Sequence, residues 1–87
     1  MKEIRWDLEK SRQLKEKRGV SFEEIIQSKM VGIMTHPMRK NQKVLLFEHK
    51  NYIWVVPCVM QREEIFLKTL FPSRKYTKMW KEGKLNG

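Results

Sequence analysis

A chain of 87 residues, 40% apolar and 33% charged, has room for one hydrophobic core, which excludes both a multidomain enzyme and a disordered tail. Nineteen Lys and Arg against ten Asp and Glu leave a net charge of +9. So large an excess on so short a chain points to a polyanionic partner: nucleic acid, anionic lipid or an acidic protein.

Cys58 stands alone, so an internal disulfide and a cysteine-based zinc site are both ruled out. It lies in an apolar run, where a small buried thiol is the ordinary reading. The opening residues lack the apolar stretch of a signal peptide, and no apolar run nears the ~20 residues of a membrane span. A cytoplasmic protein without membrane attachment is expected, and no metal or cofactor is called for.

In chain order, Ile4 and Trp6 alternate with Glu3 and Arg5, as in a short edge strand or an extended arm. Asp7 is placed to cap a helix over Leu8–Arg18, and Gly19 suits a left-handed stop. The apolar stripe of that helix is narrow, with Leu8 and Leu14 between Trp6 and Val20. Ser21 and Glu24 then form a capping box for a second helix from Phe22 to about Ser28, which turns Phe22, Ile25 and Ile26 to the core.

Strands are expected at Val31–Thr35, Val44–Glu48, Tyr52–Met60 and Glu64–Phe71. The first two flank a basic loop from His36 to Gln42, and Lys50-Asn51 makes a hairpin turn. The nearly continuous apolar character of Tyr52–Met60 marks a central strand, and Pro57 within it predicts a bulge or an unpaired position. Pro72 ends the last strand, Ser73 caps a short helix from Arg74 to about Glu82, and Gly83 closes it. The whole reads as one α+β domain over residues 1–87, in which two N-terminal helices pack on a four- to five-stranded antiparallel sheet with a short C-terminal helix.

Three groups offer chemistry. The first is the cationic cluster after the last strand, where Arg74 presents a planar fork suited to phosphate and Tyr76 offers a face for stacking or a proton. The second is Glu48-His49 at a strand end, where alternation lets at most one of the two face a shared site. The third is His36 with Arg39 and Lys40 on the basic loop. A ribonuclease that works without metal needs a base for the 2′-hydroxyl, cations for the phosphate, and an acid for the leaving oxygen. His49, His36, Glu48, Lys68 and Tyr76 are the candidates for acid or base, and Arg74 and Lys75 for stabilising charge. Trp54 and Phe66 read as core or partner contacts, whereas Trp80 and Tyr76, set among cations, suit a single strand of nucleic acid.

The first third of the chain closely resembles the BrnT family of toxins from type II toxin–antitoxin systems. The residues that carry the likeness are Trp6-Asp7, Glu9-Lys10, Arg12, Lys17, Gly19 and Val20-Ser21-Phe22-Glu23-Glu24. A second block, Pro72-Ser73-Arg74-Lys75-Tyr76-Thr77, resembles the family's turn after the last strand. Two departures stand out: Arg18 occupies the usual histidine position before the glycine, and Tyr76 replaces a common alanine. The resemblance implies a RelE-like fold, cleavage of RNA that arrests growth, and a cognate acidic antitoxin with its own DNA-binding domain.

On this reading Arg74, His49 and Glu48 form the catalytic set, with Arg74 carried over from the family as the phosphate-binding arginine. Arg74, Lys75, Tyr76, Lys68, Lys78 and Arg39 contact RNA. The alternative left open by the residues is a non-catalytic module that only holds a nucleic acid or another partner.

Overall fold

The structure, a computed structural model, describes residues 3–35, 38–39 and 41–85. Among them are six strands and three helices: β1 (Glu3–Trp6), α1 (Leu8–Arg18), α2 (Phe22–Ile26), β2 (Lys29–Thr35), β3 (Gln42–His49), β4 (Tyr52–Gln61), β5 (Glu64–Leu67), β6 (Phe71–Pro72) and α3 (Arg74–Lys81).

The first two helices are set by local signals. The Asp7 carboxylate accepts from the N–H groups of Glu9 and Lys10 at 2.8 and 3.1 Å, and Gly19 closes α1 at φ +80°. Ser21 and Glu24 make the reciprocal bonds of a capping box. The second helix stops at Ile26, two residues earlier than expected, because Ser28 N–H turns back to the Ile25 carbonyl and β2 begins at Lys29. Leu8 lies 71% exposed, not on the buried stripe. Ser11 is buried in its stead, since its hydroxyl accepts from Phe22 N–H at 3.0 Å and donates to the Glu23 carboxylate at 2.6 Å. The Trp6 indole donates to the other oxygen of Glu23 at 3.1 Å, and its ring packs 6.2 Å from that of Phe22.

The strands run β1-β5-β4-β3-β2, with β6 alongside part of β4. The β3–β4 hairpin turns on Lys50 and Asn51, both at positive φ, as a two-residue turn between right-twisted strands requires. Two features depart from the expected antiparallel sheet of four to five strands. β1 pairs in parallel with β5, from Glu3 opposite Glu64 to Trp6 opposite Leu67. Parallel neighbours need a long crossover, and here everything from α1 to β4 supplies it. The expected strand Glu64–Phe71 is also split in two. Lys68 N–H binds the Pro57 carbonyl, Leu70 drops fully into the core, and the Arg18 guanidinium donates to the Leu70 carbonyl. The chain regains β4 only at Phe71 and Pro72, opposite Val55 and Trp54.

That split also explains how a proline fits the central strand. Pro57 stays in register opposite Val44, with no bulge. A residue's N–H and C=O leave a strand on the same side, and the Pro57 carbonyl faces Lys68. The absent N–H therefore falls in the gap between the β6 pairing at Val55 and the β5 pairing from Cys58.

Alternation along β3 and β4 builds a core on each face of the sheet. Leu45, Phe47, Trp54, Val56 and Cys58 join Leu14, Val20, Phe22 and Ile25 from α1 and α2. On the other face Leu46, Ile53 and Val55 pack with Tyr76, Trp80 and Leu85. The third helix thus covers the face that the first two leave open.

Candidate functional site

The chain enters α3 through a two-point clamp on Ile53. Ser73 N–H donates to the Ile53 carbonyl at 2.9 Å, and Ile53 N–H donates to the Thr77 hydroxyl at 2.8 Å. That hydroxyl donates in turn to the Ser73 carbonyl at 2.6 Å, while the Ser73 side chain accepts from Tyr76 N–H at 3.1 Å. Every bond in the set is made by Ser73, Thr77 or backbone. Of the three residues between them, Arg74 and Lys75 are left facing water and Tyr76 packs on the sheet.

Arg74 pairs with no carboxylate among the described residues. Lys78 and Lys81 follow it at helical spacing on the exposed side of α3, and Thr77 and Trp80 are turned inward. The Lys75 ammonium sits 5.7 Å from the centre of the Tyr76 ring, and the ring lies against Leu46, Ile53 and Val55. The first turn of α3 carries no acid. Two cations thus stand at the positive end of a helix dipole, an arrangement that weakens the helix unless an anion docks there.

Glu48 lies opposite Ile53 on β3, one strand in from the clamp. Its side chain falls on the α3 face with Leu46 and Ile53, and its Oε2 accepts from Asn51 N–H at 2.9 Å, bracing the hairpin turn. With strands ~5 Å apart, the Ser73 backbone, bonded to Ile53, is about 10 Å from that of Glu48. His49 belongs to the opposite face, beside Tyr52, which packs with the α1–α2 core. Tyr76 meets Leu46, two residues from Glu48 on the same face.

The other site residues named from the sequence lie apart. Lys68 follows β5 against Pro57, four residues and about 13 Å along β4 from the clamp. Arg39 closes the turn before β3 by accepting from Gln42 N–H with its carbonyl, at the end of the sheet opposite His49. His36 and Lys40 lie outside the described residues. Trp80 is half-buried on the α3 core and Trp54 is buried under α1 and α2, so neither presents a free ring for stacking. Burial pushes the Cys58 thiol up from its ordinary pKa, away from the thiolate a nucleophile requires. Among the described residues, no three His, Cys, Asp or Glu side chains gather as metal ligands would.

No protein-family model matches the chain, and no curated protein matches it in sequence. The comparison with solved structures is decisive for the fold. The crystal structure of the Brucella abortus ribonuclease toxin BrnT superposes with a TM-score of 0.55 at 16% identity, over 84% of this chain and 97% of the toxin. The chain has the BrnT fold. Seen in that fold, the N-terminal block that carries the resemblance is scaffold: Trp6, Asp7, Gly19, Ser21, Glu23 and Glu24 cap helices or join α1 to α2. In the second block Ser73 and Thr77 are scaffold too, while Pro72, Arg74 and Lys75 are exposed.

The importance of Ser11 and Thr77 escaped the sequence. Both hydroxyls are buried and hydrogen-bonded, a setting that the residue pattern along either helix does not reveal.

Proposed function

We propose that the protein is the toxin of a type II toxin–antitoxin system, a ribonuclease that needs no metal and is silenced by a cognate acidic antitoxin. The observation that supports this reading is the Ile53 clamp, which uses Ser73 and Thr77 for structure and leaves Arg74 and Lys75 exposed, in a BrnT fold.

The chemistry follows from those positions. Arg74 grips two oxygens of the scissile phosphate, and Lys75 adds charge as the phosphorane forms. Glu48 takes the proton of the 2′-hydroxyl, whose oxygen attacks phosphorus. The P–O5′ bond breaks, Tyr76 gives its proton to the leaving oxygen, and a 2′,3′-cyclic phosphate remains. His49, on the opposite face of β3 from Glu48, takes no part in this step. Lys78 holds the flanking backbone, and Lys68 and Arg39 serve as outlying contacts for a longer RNA. An acidic antitoxin covering α3 would shield the same cations, with the charge match speeding its association.

Expression of the chain alone should arrest growth and fragment RNA into pieces ending in cyclic phosphate. Arg74→Ala should abolish both while leaving the melting temperature unchanged. Folded protein that binds RNA but leaves it intact would make the chain a nucleic-acid-binding module.

A further inference from the structure

The two edges of the sheet are treated differently by the sequence. β1 is short, carries Glu3 and Arg5, and is fastened by the Arg5–Glu64 ion pair at 2.9 Å. Charged residues and short length are the usual guards against unwanted strand pairing. β2, at the other edge, has seven residues and no charge or proline from Met30 to Thr35. Ile33 is 56% exposed on it, and Met30 and Met34 are exposed as well. The bulge between Met30 and Gly32 is its one irregularity, so the stretch from Gly32 onward is left as a regular, unguarded edge.

A shallow cleft beside this edge has a volume of about 170 Å³ and is lined by Gly32, Met34, Leu46, Tyr76 and Met79. It is smaller than the ~300 Å³ at which small-molecule pockets begin, and is matched instead to a side chain entering from an added strand. Methionines on its wall adapt to varied apolar shapes. Lys29 stands at one end of β2, opposite Glu48, and Lys43 stands at the other end, opposite Thr35. The sequence between Glu24 and Glu48 contains Lys29, Arg39, Lys40 and Lys43 and not one acid. A second copy of the chain would set cations against cations there. Carboxylates would be drawn to both ends of the strand.

From this we infer that β2 is a docking edge for an extended segment of a partner protein, apolar at alternate positions and flanked by acidic residues, which adds a strand to the sheet. The surface adjoins the Arg74 cluster through Tyr76, but strand addition at β2 does not depend on RNA cleavage.

The test uses two labelled synthetic peptides with the same alternating valine–threonine core, one flanked by glutamates and the other by lysines. Fluorescence anisotropy gives affinity, and amide hydrogen exchange locates the site. The acidic peptide should bind at least ~10-fold more tightly, as a difference of about 1.4 kcal/mol requires. Amides of β2 should gain protection. Ile33→Glu should weaken binding by a similar factor without changing the melting temperature, since the side chain is already largely in water. Equal binding of the two peptides, no binding by either, or protection at α3 or Phe22 rather than β2 would overturn the inference. So would self-association of the free chain that Ile33→Glu abolishes, because the occupant would then be a second copy.

Discussion

Thr77→Val isolates the clamp that holds Arg74 in place. The substitution keeps the branched shape and removes one oxygen from a side chain that is only 5% exposed. Ile53 N–H, itself fully buried, then loses its acceptor, and an unsatisfied buried amide costs about 1–3 kcal/mol. The bond to the Ser73 carbonyl is lost as well, so roughly 2–3 kcal/mol of destabilisation is expected. In a domain of this size each 1 kcal/mol moves the melting point by ~4–8 °C, which places the drop on the order of 10–20 °C. Urea unfolding should show a lower midpoint at unchanged slope, since the surface exposed on unfolding stays the same. Thr77→Ser keeps the oxygen and gives up one methyl, for about 1 kcal/mol. If Thr77→Val proves as stable as Thr77→Ser, the hydroxyl is not the clamp and the account of how Arg74 is positioned fails.

Arg74→Lys should lower RNA cleavage nearly as far as Arg74→Ala, by ~10²–10³-fold, because a point charge cannot grip two oxygens. Lys10→Ala on the distant exposed face of α1 is the control in the same gel assay. Ser11→Ala should cost about 1–3 kcal/mol in urea unfolding, because Phe22 N–H is left buried without an acceptor; the Glu23 carboxyl, held low mainly by the Ser11 hydroxyl, should titrate higher by NMR. The bond from Lys15, followed by that from Ser21 N–H, holds the Glu24 carboxyl at about 2, against an ordinary 4.5. A depressed carboxyl stabilises the fold fully above its unfolded value and loses that contribution as pH falls toward the folded one. Glu24→Gln should therefore lower stability above pH ~5 by about 1 kcal/mol, the ion pair being largely solvated, and match the parent near pH 2. A gap that persists in acid would mean that the charge is not the cause.

What could be read from the sequence was set by the distance to the partner. Asp7, Gly19, Ser21 and Ser73 act on amides or carbonyls within four residues, and each was placed correctly as a cap or stop. The Lys50-Asn51 turn and the opposite facing of Glu48 and His49 were equally legible, since a tight turn and strict alternation leave little choice. The parallel pairing of β1 was not, because its partner strand is separated by nearly the whole fold. Leu8 and Ser11 exchanged their expected places for a related reason: apolar patterning cannot see a hydroxyl that finds Glu23 and Phe22 N–H. The cations of α3 were legible as a cluster. Their outward setting depends on Thr77 meeting Ile53, 24 residues earlier, which no local pattern encodes.

Arg5 and Glu64 are partners across 59 positions, and that separation has a bearing on time. While the chain is being synthesised, β1 has nothing to pair with until β5 emerges, and the clamp on Ile53 must wait for Thr77. Contacts this distant in sequence form slowly and late. A truncated translation product ending before Glu64 would lack one edge of the sheet and the helix bearing Arg74. Such fragments would lack Arg74 and Lys75, so the cationic cluster takes its place only after Thr77 has emerged and met Ile53.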